Sequence, residues 1–153
     1  MKALSIRQPW PWAMLHAKHQ KPVENRTWPP PPELLGQRIL LHASKGCTRE
    51  EYAKAADFIE WANVGQRPPP LAELPRGGIV GIATLYGFAD HNGDGRMFDP
   101  NVAARIIHDS PWYVGPWGWF LTDRKPLPFT PLKGRLGFFD VPEELVRKLG
   151  VAA

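Results

Sequence analysis

Apolar and polar positions alternate in "KALSI" (residues 2–6), and the β-forming residues there predict a first strand. In "RQPWPWAMLHAKH", Pro9 or Pro11 suits a first helical turn, where no amide donor is needed. Trp12, Leu15 and His16 then recur at helical spacing and predict a helix to about Lys18. "KPVENRTW" alternates again and predicts a strand, whereas the four prolines of "PPPPELLGQ" predict a rigid polar loop that excludes helix and central strand. "RILLHAS" is a strong strand candidate. "TREEYAKAADFIEWANVG" carries the clearest helical pattern. Thr48 and Glu51 have the spacing of an N-cap and capping box, Tyr52, Ala55, Ala56, Ile59 and Ala62 share a face, and Gly65 can end the helix.

Farther along, "QRPPPLAELPRGG" predicts a stiff loop and "GIVGIATLYGF" a buried strand. Residues 89–111 read as a long connection, with a short helix predicted from Asn101 to His108. "GWFLTDRKPLP" and "GRLGFFDV" predict two more strands, and "PEELVRKLG" a closing helix. Five or six strands with two to four helices in mixed order fit a small mixed β-barrel with helices packed outside, an α+β architecture. There is no internal repeat, and 153 residues suffice for one domain over 1–153 with its own core.

Composition narrows the class. No apolar run approaches the roughly 20 residues of a membrane helix, and "MKALSIRQPW" lacks the apolar stretch and cleavage site of a secretory signal. No membrane partner is expected. The lone Cys47 has no partner for an internal disulfide, which suits a cytoplasmic location. A net charge of +4 and a pI near 9.4 permit a nucleic-acid partner without demanding one. Eighteen prolines stiffen the loops. Seven tryptophans can serve as core bulk or as stacking platforms for bases.

Candidate chemistry concentrates in "HQKPVENRTW". Glu24 and Arg26 share one face of a strand, while Lys21, Val23 and Asn25 share the other. Lys21 can meet Glu24 only if the strand breaks at Pro22. The segment is therefore either a surface ion pair or the wall of a site. In "RILLHASKG", His42 and Ser44 share a face and Lys45 follows, which suits anion contact; the plainer alternative is helix capping by Ser44 beside a half-buried His42. Arg7 and Gln8 are base-edge readers, and Trp10 and Trp12 follow them, one of which must belong to the core. Trp117 and Trp119 point the same way if extended, with Gly118 allowing close approach between them. Asp90–Gly95 matches half of a calcium loop, but position twelve is Asn101 rather than glutamate, so a polar turn is expected. Cys47, beside Thr48 at a helix start, has no supporting nucleophile motif. No reading requires a metal or a cofactor.

Taken together, "LSIRQPWPWAML", "KPVENRTW", "RILLHASK", "GGIVGIATL" and "GWFLTDRKPLP…KGRLGFFDVP" resemble the ASCH domains of the PUA-like superfamily, in their small stand-alone bacterial or phage form. The family pattern G-x-K-x-x-E-x-R is matched at Lys21, Glu24 and Arg26, with His19 in the glycine position. The resemblance implies a PUA-like barrel with a cleft between barrel and helices, and RNA- or nucleotide-related ligands. Small bacterial members act as amidohydrolases on N4-acetylcytidine, and others are ribonucleases. Lys21 would match the amidohydrolases' catalytic lysine. Those enzymes carry a threonine nucleophile where this chain has Glu24, and Asp109 is the candidate for their acidic residue.

The leading expectation is a binding domain for single-stranded RNA or a nucleoside or nucleotide. Arg7, Gln8, Lys21, Arg26, Ser44 and Lys45 would contact phosphates or base edges, and Trp10 or Trp119 would stack on a base. The alternative is a hydrolase in the same cleft, with Lys21 as catalytic base, Glu24 orienting it or activating water, and His42 shuttling protons. A third possibility is an interaction module that has kept the fold without a ligand, favoured if the charged residues lie on a convex face. The oligomeric state is left open.

Overall fold

The computed structural model describes residues 1–97 and 99–151. Phe98, in the predicted long connection, and residues 152–153, at the end of the expected domain, lie outside the described residues. The strands are β1 (Lys2–Arg7), β2 (Val23–Arg26), β3 (Arg38–Ser44), β4 (Gly78–Asp90), β5 (Gly95–Met97), β6 (Trp117–Pro131) and β7 (Phe138–Asp140). The helices are α1 (Trp10–Leu15), α2 (Arg49–Ala62), α3 (Pro100–Asp109) and α4 (Glu143–Leu149).

One mixed sheet runs in the order β2-β6-β4-β3-β1-β7, with β5 hairpinned onto β4. Among the described residues only β1 and β3 pair in parallel. The long β4–β6 ladder shifts register between Ile79 and Gly81, Ile82 and Thr84, and Leu85 and Gly87. Such irregularities bend strands and increase their twist, and they curl the sheet into a half-barrel. The expected barrel is therefore open: among the described residues no ladder joins β2 to β7 or to β1. The fold class is α+β with helices packed outside, and the sheet has seven strands rather than five or six. The hairpin through Asp90–Gly95 supplies the extra one.

Strand alternation builds the core on two faces. Leu4, Ile6, Ile39, Leu41, Trp119 and Leu121 pack in one cluster with Met14 and Leu15 of α1. The intervening Ala3 and Leu40 join Ile79, Phe139 and Leu145 of α4 in another. Phe120 and Val23 pack against Ile59 of α2 and Ala103 of α3. Burial on both faces explains why these strands read as nearly continuous apolar runs.

Local departures from expectation have local causes. Helix α1 stops at Leu15, not Lys18, because other groups capture the chain beyond it. The Lys18 amide donates to Gln66 Oε1 (2.7 Å) and the His19 amide to Asn63 Oδ1 (2.6 Å). Strand β2 begins only after Pro22. The predicted proline loops each hold a single 3-10 turn, at Pro32–Leu34 and Leu71–Glu73. Thr48 caps α2 by accepting from the Glu51 amide (3.1 Å), but the Glu51 carboxylate turns instead to Arg7, so the capping box is half made. Strand β7 is shorter than the predicted 134–141, because Gly134–Gly137 leave the sheet as a loop.

Candidate functional site

The site begins with the break at Pro22. The Lys21 amide donates to Ala13 O of α1 (3.0 Å), while Pro22 O accepts from the Leu121 amide of β6 (2.9 Å). Lys21 therefore stands just outside β2, and its side chain folds back along the strand. Its Nζ donates to Val23 O (2.7 Å) and pairs with Glu24 Oε1 at 3.4 Å. The other Glu24 oxygen accepts from Arg26 Nε (3.1 Å) and Nη2 (2.9 Å). Alternation along β2 puts Glu24 and Arg26 on the same face, and the break returns Lys21 to it.

One carboxylate is thus held between two cations. The side chains of Lys21 and Glu24 are 3% and 8% exposed, so this is a buried network rather than a surface ladder. Arg26 also donates to Ser5 O (2.9 Å), bridging the open gap between β2 and β1, and lies over the Trp119 ring at 5.4 Å. The Lys21 ammonium lies 5.2 Å from the Trp10 ring centroid. Burial pushes the Lys21 pKa down, Glu24 draws it part of the way back, and the Arg26 charge adds to the lowering.

A cavity of about 710 Å³ opens over this network. Lys21, Glu24 and Arg26 form its polar floor, and Trp10 and Phe58 its aromatic wall. Those two rings meet edge to face at 5.8 Å. At the rim Arg7 pairs with Glu51 at 2.6 Å, and Lys54 lies beside them. Asn25 donates to Trp112 O and accepts from the Val114 and Gly115 amides, which fastens the 112–115 segment at the mouth.

Of the expected site residues, Arg7, Trp10, Lys21, Glu24, Arg26 and Ser44 line this one cavity. The charged groups of "HQKPVENRTW" converge on a concave surface. His42 does not join them. It is buried beneath a second cavity, where Nε2 donates to Leu132 O (2.7 Å) and Nδ1 faces Ser5 Oγ at 3.5 Å. The residue expected to shuttle protons thus lines a different cavity from Lys21. Lys45 also belongs to the second cavity, and Ser44 lines both.

Two further expectations are corrected. Gln8 is buried and its amide is used internally, donating to Pro75 O (2.9 Å) and accepting from the Trp12 amide (3.3 Å). Trp119 is 2% exposed, stacked on Phe138 with an interplanar angle of 4°, and its Nε1 donates to Trp28 O. It is core and not a platform for a ligand.

Asp109 lines a shallow groove with Val102 and Arg105, apart from the Lys21 cavity. Burial and the Glu51 charge push the Cys47 thiol up, which disfavours the thiolate. In the calcium-like turn, Asp90 Oδ1 accepts from the Asn92 and Asp94 amides (both 2.9 Å), as an ordinary polar turn requires. Among the described residues no group of three His, Cys, Asp or Glu side chains could hold a metal ion, and no helix is long and apolar enough to cross a membrane.

Sequence reading missed the contribution of α2. Glu51, Lys54, Ala55 and Phe58 recur at i, i+3, i+4 and i+7 and line the cavity. That periodicity was available, beside the more apolar face that packs on the core.

Fold and site together define an α+β half-barrel whose open side holds an aromatic-walled cavity over a buried Lys–Glu–Arg network. The ASCH protein of Zymomonas mobilis shares this fold: its crystal structure superposes with a TM-score of 0.52 at 16% identity, over 97% of this chain and 92% of that one. A tyrosine-to-phenylalanine variant of the same protein gives 0.51 at 15%, over 97% and 95%. A serine-to-alanine variant gives 0.51 at 15%, over 97% and 93%. The resemblance read from the sequence is thus borne out at the level of the fold. No protein-family model matches the chain, and no curated protein does.

Proposed function

We propose that this chain is an ASCH-type domain that binds single-stranded RNA or a modified nucleoside, with one base held in the Lys21–Glu24–Arg26 cavity. The observation that carries this reading is the buried carboxylate clamped between two cations on the floor of an aromatic-walled cavity. Its volume lies within the roughly 300–1,000 Å³ of small-molecule sites. A lysine donor beside a carboxylate acceptor matches the edge of a base that offers both an amine and a carbonyl, as cytosine does. Trp10 and Phe58 supply the apolar faces that unstacked bases seek. Two of the three Lys21 ammonium hydrogens are engaged by Val23 and Glu24, which leaves a third for a ligand.

The test is a titration of the protein with short single-stranded RNAs and with free nucleosides, at two salt concentrations. Saturable binding that Trp10→Ala abolishes is the expected result. Absence of saturable binding to every probe would sink the reading.

A second reading is hydrolysis in the same cavity, supported by the burial of the Lys21 side chain beside Glu24. Burial lowers the Lys21 pKa, so its neutral amine is easier to reach and can take a proton from water. The resulting hydroxide would attack an acyl carbonyl, and the proton would pass to the departing N4 amine. Incubation with N4-acetylcytidine and with RNA, using Lys21→Ala and Glu24→Ala as controls, separates this reading from binding alone. Turnover that persists in both variants would remove the site from the mechanism.

A further inference from the structure

The second cavity, about 740 Å³, differs in kind from the first. Lys45, Arg76, Lys133 and Arg135 line it, and no carboxylate does. Among the described residues none of these four cations enters an ion pair, whereas Arg7, Lys21 and Arg26 of the first cavity all do. Four unneutralised cations around one concavity repel one another, and an anion removes that repulsion.

The cations are held in place by the backbone around them. Arg76 Nη1 donates to Lys45 O (3.1 Å), and the Lys45 stem lies against Gly77, where a β-carbon would come within 3.0 Å of it. Lys133 and Arg135 ride on a loop fastened at both ends. The Leu132 amide donates to Gly77 O (3.1 Å), and Gly137 O accepts from the Ser5 amide (3.1 Å). His42 ties the same loop from below through Leu132 O. A carbonyl only accepts, so Nε2 is the donor in that bond.

The two cavities share a wall of Ser5, Ser44 and Leu136. Ser5 also links their networks, its carbonyl taking Arg26 and its hydroxyl facing His42. A ligand leaving the first cavity over this wall enters the basic one.

We propose that the second cavity is a phosphate subsite for the sugar–phosphate backbone of a single-stranded RNA, one of whose nucleosides occupies the first cavity; this rests on the nucleoside reading of that cavity. His42 is then a positioning residue for the basic loop.

The test compares the full chain with a Lys133→Glu/Arg135→Glu double variant, both positions being exposed. The probes are a five-nucleotide RNA, the matching free nucleosides and a polyglutamate peptide. Binding is measured from about 50 to about 200 mM salt. Each phosphate that the protein neutralises on a single strand adds about 0.7 to the salt slope. Removing two such cations therefore flattens it by about 1.4, or about sevenfold in affinity over that range. The expected result is weaker RNA binding with this flatter slope and unchanged nucleoside binding. A Lys133→Gln/Arg135→Gln variant gives the same readout should charge reversal unfold the chain. Unchanged RNA affinity and slope would overturn the proposal, as would no RNA binding by the unmodified protein, or tighter binding of polyglutamate than of RNA. Loss of RNA binding in the variant, with no nucleoside binding by either protein, would uphold the phosphate subsite and remove the nucleoside reading of the first cavity.

Discussion

The two cavities lie against the same wall yet handle charge in opposite ways. On the floor of the first, Glu24 is shared between Lys21 and Arg26. In the second, four cations line the cavity and, among the described residues, none of them enters an ion pair. Burial accounts for the difference. An isolated ion taken out of water carries a cost of several kcal/mol, so buried charges persist only when paired and hydrogen-bonded. Exposed ammonium and guanidinium groups keep their hydration and need no partner until a ligand arrives. The first cavity is therefore built for shape and hydrogen bonding, and the second for charge.

The sharpest way to break this contrast is to remove the shared carboxylate. Glu24→Ala leaves Lys21 and Arg26 facing each other without a counter-ion, and Lys21 is almost wholly buried. Breaking a buried pair costs about 3–5 kcal/mol, and that loss is expected in denaturant unfolding. Lys133→Gln in the second cavity should stay within about 0.5 kcal/mol, as exposed substitutions do. Equal losses at the two sites would show that burial does not separate them.

A smaller effect is expected at the loop over His42. A β-carbon on Gly134 would overlap the His42 ring, which is pinned between Leu132 and Ser5 and has little room to yield. Gly134→Ala should displace the loop and weaken the His42–Leu132 bond. The expected destabilisation is about 1–3 kcal/mol. RNA affinity should fall while nucleoside affinity holds. A variant with unaltered stability would mean that the strap is not rigid.

The floor of the first cavity was partly legible in the sequence. Alternation put Glu24 and Arg26 on one face, and Pro22 marked the only place where Lys21 could rejoin them. Strand parity, however, tells which side a residue faces and not what lies there. His42 and Trp119 both sit on strands of the sheet, yet one lies under a different cavity and the other in the core. Gln8 has the chemistry of a base reader, but its amide meets Pro75, far away in sequence. The alanine-rich α2 offers two plausible faces, and only packing shows that Phe58 reaches the cavity. The second cavity draws on residues near 44, 76 and 129–136, which no local pattern connects. Likewise, a half-barrel and a barrel share the same strand order up to the last pairing, so the open edge was invisible.

Stability against pH probes the buried lysine. Burial holds the folded-state pKa of Lys21 below the ordinary 10.5. Below the folded value the lysine is charged in both states, and its burial cost is present in full. Between the folded value and 10.5 the unfolded chain binds more protons, so stability rises with pH. Above 10.5 this contribution is constant. Lys21→Met removes the charge while keeping an unbranched side chain, and Glu24 retains Arg26. The difference between unmodified protein and variant, followed by unfolding as pH rises to 10.5 and beyond, should show the rise only when Lys21 is present. Parallel curves would mean that Lys21 is not desolvated.

The smallest effect belongs to Arg7. Its pair with Glu51 is short, at 2.6 Å, but the two side chains are 60% and 43% exposed. Exposed pairs contribute about 0–1 kcal/mol, and Glu51 has a second use: freed from Arg7, its carboxylate lies in the first turn of α2, where the helix dipole favours negative charge and the half-made capping box can close. Arg7→Ala should therefore cost less than about 1 kcal/mol in unfolding. Because Arg7 is already neutralised by Glu51, its removal should leave the salt slope of RNA binding nearly unchanged. The contrast with the Lys133/Arg135 variant is direct, since all three groups are exposed cations at a cavity rim and only the pairing differs. A slope that flattens by about 0.7 in Arg7→Ala would mean that RNA opens the Arg7–Glu51 pair and takes Arg7 for a phosphate, which would extend the charged track from the second cavity across the shared wall into the first.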